Sequence, residues 1–417
     1  MPSTLFPASG VERLHALDAV RAYALLLGIV LHAAISFLPP GPSRIWFIED
    51  THPSAVLGVT TFVIHVFRMT TFFMMAGLFA RMSLHRRGTT GFVKDRLLRI
   101  ALPLVVGWPV VFAPMVAVVM WASRFPHGGP IPGGAGWPPV LPRFPLAHLW
   151  FLYVLIELYA AALLLRWLVT MIDTEGRLRM RADRLFALIM QSRLAPGLLA
   201  LPILIALSLD RTWIGFIGVR TPDQSLITNH QAWIGFGSAF AVGWMLHRQI
   251  ALLRVLEQRW LLNSLCSVGL IGLSFALALG VMLVAGRVWA APVDLATIRL
   301  AGAIVYALAI WTTSFAAIGL ALRFMAGFSR TRRYLADASY WLYLVHLPVV
   351  MALQVAVSQR DWPWPAKYVL ILLVAIPAML ASYHWLVRDT FIGRVLNGKR
   401  IGRAAEPMSV VGESVRT

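Results

Sequence analysis

Apolar residues run along this chain in windows of about twenty, the length a helix needs to cross the hydrocarbon core of a bilayer. Polar residues gather between the windows. Ten windows predict ten helices, at about 17–38, 56–80, 100–122, 148–171, 196–209, 229–247, 261–285, 297–322, 338–358 and 367–387. The fifth, "APGLLALPILIALSL", is short and holds two prolines, so its ends are the least defined. The pattern predicts an all-α, polytopic membrane helix bundle, and an even number of spans puts both termini on one side.

Charge decides which side. With both termini in the cytoplasm, the inner segments hold 26 Arg or Lys and the outer loops hold seven. Arg21, Arg68, Arg299 and Lys367 lie within spans or at their ends. Positive loops stay inside, so the termini are expected to be cytoplasmic. The same distribution accounts for most of the +19 net charge, so basic contacts are assigned to membrane lipid and not to nucleic acid. A chain that is 59% hydrophobic and 13% charged is not a soluble globular protein. The first sixteen residues are polar, and the apolar run after them is too long for a signal-peptide core, so it reads as a retained anchor. The largest outer loop, "RFPHGGPIPGGAGWPPVLPRFPLA", has no core-forming period. No repeat relates the two halves, and the tail beyond Arg400 reads as disordered. The single cysteine, Cys266, cannot form a disulfide within the chain and reads as a packed thiol. No Cys/His metal spacing is present, and no permanently bound cofactor is expected.

The informative residues are those that break the apolar pattern, because an ionisable group inside a span costs about 3 kcal/mol or more and usually faces the bundle interior. The first span, "LDAVRAYALLLGIVLHAAISFLP", contains Asp18, Arg21 and His32. Arg21 and His32 are eleven residues apart, about three turns, which puts them roughly 20° apart and about 16 Å along one face. Asp18 precedes Arg21 by three and is near enough to pair with it. An end-of-helix ion pair and a hydrogen-bonded core histidine are the plain alternatives. The second span, "IHVFRMTTFFMMAGLFARM", places Arg68 near its middle with His65 three residues earlier. No carboxylate lies in that span, so the partner of Arg68 must come from elsewhere, as protein or ligand. Arg96 and Arg99 sit one turn apart before the third span, where the positive-inside bias explains basic residues as well. His148 and Trp150 open the fourth span, where aromatic anchors at the outer interface are routine, and Glu157 lies two turns in. His346 precedes Pro348 in "ASYWLYLVHLPVV", and "SYHWLVRDTFIGR" brings His384, Arg388 and Asp389 to the inner surface.

These residues resemble a known family. "LDAVRAYALLLGIVLH" is similar to the first-helix signature of the membrane acyltransferase 3 family, an Arg followed after ten residues by His. "FFMMAGLF" resembles its FF-x-x-S-G-F pattern with Ala76 in place of serine, and "RLLRIALP" matches its R-x-x-R element. "HLWFLYVL" and "ASYWLYLVHLPV" resemble two further segments in the expected order. The resemblance covers about residues 13–390. Within the family, "IHVFRMTTFF" and the first helix look most like the branch of glucan biosynthesis protein C, associated with succinylation of periplasmic glucans. The family's usual Glu after the last helix is replaced here by Asp389.

The resemblance implies a cytoplasmic N-terminal segment (1–16), an acyltransferase 3-like transmembrane domain (17–390) and a cytoplasmic basic, disordered tail (391–417). It implies a bacterial inner-membrane enzyme that moves an acyl group, acetyl or succinyl, from cytoplasmic acyl-CoA as co-substrate to a hydroxyl of an extracytoplasmic carbohydrate or glycolipid. His32 would act as base or as acyl carrier, with Arg21 and Asp18 on the same catalytic face. Arg96 and Arg99 would hold CoA phosphates, because guanidinium forks suit them. Arg68, His65, His148, Trp150 and His346 complete the expected acyl-CoA or substrate site. A transporter or flippase for a glycan or lipid-linked precursor would also carry buried charge and remains the alternative.

Overall fold

The computed structural model describes residues 10–41, 44–132, 134, 141–285 and 295–397. Its helices are α1 (Gly10–Ala34), α2 (Ala55–Arg96), α3 (Leu102–Ala122), α4 (Trp150–Ile172), α5 (Arg177–Gln191) and α6 (Ala195–Ser208). They continue with α7 (His230–Arg248), α8 (Leu253–Gln258), α9 (Trp260–Ala285), α10 (Leu295–Phe324), α11 (Arg330–Ser358), α12 (Trp364–Ser382) and α13 (Phe391–Asn397). Among the described residues there is no β-strand, only two isolated bridges, Ile48 with Gly128 and Arg143 with Ser225. The fold is all-α, and the chain is a multi-pass membrane protein.

Each of the ten apolar windows coincides with a helix. Seven helical stretches among the described residues are long and apolar enough to cross a membrane. One of them, Ala55–Ala122, joins α2 to α3 and so contains two of the expected spans. The inner segment at 81–99, expected as a loop, is helical instead: α2 continues through a kink at Gly88, whose φ of 67° suits glycine, and meets α3 through a π-turn at Leu97–Ala101. The short fifth window forms α6, which is bent by 109° from α5. Ser54, Asn229 and Ser329 cap α2, α7 and α11 by accepting the backbone N–H three residues on.

Three further expectations change. The tail was expected to start at 391, yet Phe391–Asn397 is helical, with Leu396 buried and the Asn397 amide donating to the Asp337 carbonyl at 2.9 Å. The rest of that tail, 398–417, lies outside the described residues. Cys266 is exposed on α9 instead of packed. Trp150, assigned to the membrane interface, is 7% exposed and stacks on Phe236 inside the bundle.

The core forms around α10, which packs against α1, α2, α6, α8 and α9. Helices α2 and α7 approach backbone to backbone through glycine. A Cβ on Gly77 would strike the Phe240 carbonyl, and one on Gly243 would strike the Met74 carbonyl. Small residues let membrane helices meet this closely. The contact fixes the middle of α2 and therefore the depth at which Arg68 sits.

Candidate active site

A cavity of about 1180 Å³ lies between α1, α2, α3, α4 and α11. All ten residues assigned to the site from the sequence line it. They divide into an arginine end, a middle and a histidine end.

At the arginine end, Arg21 pairs with Asp18 at 3.8 Å, and its guanidinium lies over Phe79 at 5.5 Å. Arg333 from α11 reaches Asp18 at 3.6 Å and Asp337 at 3.4 Å. The Asp95 carboxylate is buried and receives Arg87 at 2.6 Å, Arg96 at 3.1 Å and Arg99 at 3.1 Å. Arg96 is further held over Phe92 and Tyr159 at 5.1 and 5.2 Å, and the Tyr340 hydroxyl donates to the Arg99 carbonyl. Arg96 and Arg99 are therefore splayed from a shared anchor. Six arginines (21, 86, 87, 96, 99 and 333) face three aspartates (18, 95 and 337) along this wall, which leaves an excess of three positive charges.

Three turns along α1, three imidazoles converge. The ring of His32 lies 5.2 Å from that of His346, which lies 5.0 Å from that of His148. Helix α11 builds this arrangement through Pro348. Proline has no N–H to give, so the Leu344 carbonyl four residues earlier lacks its helical partner. The His148 Nε2 donates to that carbonyl at 3.1 Å. His346 Nδ1 donates to the Tyr343 carbonyl at 2.7 Å. A carbonyl only accepts, so both tautomers follow from their partners. The remaining nitrogens, His148 Nδ1 and His346 Nε2, carry lone pairs and are buried without partners, as is His32 Nδ1. Among the described residues, no group of three or more His, Cys, Asp or Glu is arranged to hold a metal ion.

His32 sits in the last turn of α1, where carbonyls have no helical partner. The Gln354 amide caps them, donating to His32 O at 2.8 Å and Ala33 O at 3.3 Å. The carbonyl oxygen of the Gln354 amide accepts from the Trp46 indole at 3.0 Å, and Trp46 stacks on the His32 ring at 5.9 Å. Arg68 and His65 occupy the middle, between the two ends. Glu157, His384, Arg388 and Asp389 lie outside the cavity wall. Glu157 accepts from Thr228 at 2.7 Å, and Arg388 bonds His384.

A family model described as an acyltransferase domain, that of the acyltransferase 3 family, matches residues 14–384. The chain belongs to the acyltransferase 3 family. It is thus a multi-pass membrane protein of that family. It is similar to the glucans biosynthesis protein C of Shigella dysenteriae serotype 1, 29% identical over 145 residues, or 35% of this chain and 37% of that one. It is also similar to the proteins of that name from Escherichia coli strain SMS-3-5, 28% identical over 145 residues (35% and 37%), and Salmonella paratyphi B, 28% over 142 residues (34% and 36%). The matched part of this chain spans just over a third of each relative's length. No solved structure matches it significantly.

Trp46, Asp95, Arg333 and Tyr343 of this wall, and Gln354 behind it, were not singled out from the sequence. Gln354 carried a signal, a lone amide in the apolar run "MALQVAVS", eight residues after His346 and so on a nearby face. Asp95 was visible as an acid among five basic residues between 86 and 99. Trp46 and Arg333 carried no signal, since an aromatic in a loop between spans and an arginine at a helix start are ordinary. Chemically, the wall offers anion-binding guanidinium groups at one end and proton-accepting nitrogens about 16 Å away.

Proposed function

We propose that this protein is an acyltransferase of a bacterial inner membrane with both termini in the cytoplasm. It transfers an acetyl or succinyl group from cytoplasmic acyl-CoA to a hydroxyl of an extracytoplasmic carbohydrate, a periplasmic glucan in the first instance. One observation carries the reading: a single cavity touches both the six-arginine wall and the His32 cluster. The 3′- and pyrophosphates of CoA suit the arginine end, where guanidinium groups form charge-assisted bonds to phosphate oxygens. The flexible arm then leads the thioester along α1 toward His32. The acceptor enters at the histidine end, which is bordered by Trp46 and by Asp223 and Gln224 of the segment between α6 and α7.

In the reaction, the acceptor hydroxyl oxygen forms a bond to the thioester carbon as its proton passes to His32. The carbon–sulfur bond breaks, and the CoA thiolate leaves and takes up that proton. Gln354 and Trp46 hold the His32 backbone and ring in place. His346 Nε2 and His148 Nδ1 offer two further acceptors for hydroxyls of the incoming sugar.

Purified protein in nanodiscs, given acyl-CoA and periplasmic glucan, should release CoA thiol and add the acyl mass to the glucan. His32→Ala should lower turnover roughly 10²- to 10⁴-fold. Glucan moving across a sealed vesicle with no thiol release would make the chain a transporter. Unchanged acylation by His32→Ala would remove the proposed chemistry.

A further inference from the structure

Helix α2 has a second basic face, turned away from the cavity. The glycine contact that joins α2 to α7 at Gly77 and Gly243 also decides what meets one turn further on. Arg81 and His247 follow those glycines by four and so share their faces. The Arg81 guanidinium lies over the Trp244 ring at 5.4 Å, and the His85 and His247 rings stand 6.4 Å apart. Arg81 is near enough to Arg166 of α4 and Arg248 of α7 to be repelled by both. Asp183 of α5 is the carboxylate that faces this group, and Arg248 already holds it with two bonds, at 2.7 and 2.5 Å. Among the described residues, no carboxylate lies within ion-pair distance of Arg81, Arg166, His85 or His247. None of these side chains lines the cavity. Orientation in a membrane explains arginines on an open inner surface. A half-buried arginine stacked on tryptophan, with two more arginines beside it, calls for an anion as well.

Helix α5 says where that anion comes from. It turns 109° from α6, so with α6 upright in the bundle it lies within about 20° of the membrane plane. Phe186 and Met190 are buried and dock it on the bundle. Arg177, Arg181 and Arg184 recur at helical spacing along one exposed flank, and Leu178 and Leu185 run exposed along the next. Arg177 is engaged by Glu175 at 2.6 Å, whereas Arg181 and Arg184 have no carboxylate at ion-pair distance. Trp167, next to Arg166, is exposed in the manner of an aromatic at headgroup depth. Inorganic phosphate would match the arginines and leave the leucines in water. A phospholipid satisfies both, with its phosphate among the arginines and its acyl chains against the leucines.

We propose that the crevice between α2, α4, α5 and α7 binds the headgroup phosphate of an anionic phospholipid. Arg81 and Arg166 are its charge-assisted donors, and Arg181 and Arg184 draw further headgroups to α5. Arg248 stays with Asp183 and ties α5 to α7. The site is separate from the cavity and stands whether or not the cavity takes acyl-CoA.

Native mass spectrometry of the full chain in detergent, offered equal phosphatidylglycerol and phosphatidylcholine, counts the lipid retained. Wild type should prefer phosphatidylglycerol about 30-fold, or about fivefold for each of two arginines at the headgroup, and lose preference as salt rises. Arg81→Gln combined with Arg166→Gln should abolish most of it. Arg323→Gln combined with Arg330→Gln removes the same charge elsewhere on the bundle and should leave it intact. In phosphatidylcholine nanodiscs, adding phosphatidylglycerol should slow amide hydrogen exchange over 177–191. Equal retention of the two lipids by wild type overturns the proposal, as does undiminished preference in a folded Arg81→Gln, Arg166→Gln protein. Equal loss in the Arg323→Gln, Arg330→Gln protein also overturns it, since the attraction would then be spread over the whole surface. If the first double variant does not fold, exchange in wild type decides: no slowing by phosphatidylglycerol overturns the proposal. Slowing by inorganic phosphate in pure phosphatidylcholine, as strong as that by phosphatidylglycerol, overturns it too, because the site would then take a free anion.

Discussion

Replacing Lys367 by Met should loosen the segment 44–54 between α1 and α2 and slow the proposed acyl transfer, though Lys367 lies outside the cavity. The Lys367 side chain is 0% exposed and that of Asp50 is 1% exposed, with Nζ–Oδ1 at 2.8 Å. The ammonium also donates to Thr51 Oγ1 and to the Ser358 carbonyl, each at 3.3 Å, so its three protons are all used. Burial pushes the Asp50 carboxyl up, against the opposing pull of Lys367. Removing one partner of such a pair costs about 3–5 kcal/mol, because the other charge stays buried. Replacing both with uncharged groups costs far less. Segment 44–54 is tied to the bundle by these contacts and by Asp50 N to Ser36 O at 2.8 Å, and it carries Trp46 onto the His32 ring. Local opening should therefore rise by roughly 10² or more in Lys367→Met, since each 1.4 kcal/mol is tenfold. Amide hydrogen exchange over 44–54 measures it. The double variant Asp50→Asn with Lys367→Met should recover most of the protection, which gives a coupling of about 2 kcal/mol or more. Exchange in the single variant within about threefold of wild type would show that the pair does not hold the loop, and the link from Lys367 to Trp46 would fall.

Gly28→Ala should displace the Arg68 guanidinium without removing its charge and slow acyl-CoA thiol release about tenfold to a hundredfold; steady-state kinetics checks it. Asp210 orders the segment between α6 and α7. Burial opposes ionisation there, but hydrogen bonds from Thr212 and Gln231 and the charge of Arg220 outweigh it and hold the carboxyl below its ordinary range. A depressed folded value means its stabilisation is present above the ordinary carboxylate value and fades as pH falls through the folded one. Thermal unfolding should therefore separate wild type from Asp210→Asn at neutral pH and bring them together in acid.

How much of this was legible in the sequence depends on whether a residue broke the apolar pattern. Asp18, Arg21, His32 and Arg68 were conspicuous because charge in a membrane span needs a reason, and helical periodicity alone put the first three on one face. The element pattern was equally readable, since each apolar window became a helix. Which face of each helix looks inward was not. Lipid is as apolar as a protein core, so α9, with 22% of its most apolar stretch buried, and α10, with 72%, read alike. That is why Cys266 was read as packed and stands exposed, and why Trp150 was read as an interfacial anchor and lies inside.

The partnerships were the least legible part, and they turn isolated polar residues into a site. Asp95 and Arg99 are four residues apart and foreseeable as a pair, but nothing local says that Arg87 and Arg96 share the same carboxylate. His148, His346 and His32 meet from three helices, and Pro348, which looked like a break in a span, frees the carbonyl that orients His148. Gln354 does the same work from the other direction, closing the end of α1 and gripping Trp46 with one amide. Asp50 and Lys367 lie 317 positions apart and form the most deeply buried ion pair among the described residues. Most of these polar groups are partnered across the bundle, whereas Arg68 has no carboxylate at ion-pair distance among the described residues and keeps a buried, unpartnered Nε. The contrast separates the side chains that hold the scaffold from the groups left open to the cavity. In a membrane interior, the charge that the fold leaves uncompensated is the one best placed to read the ligand.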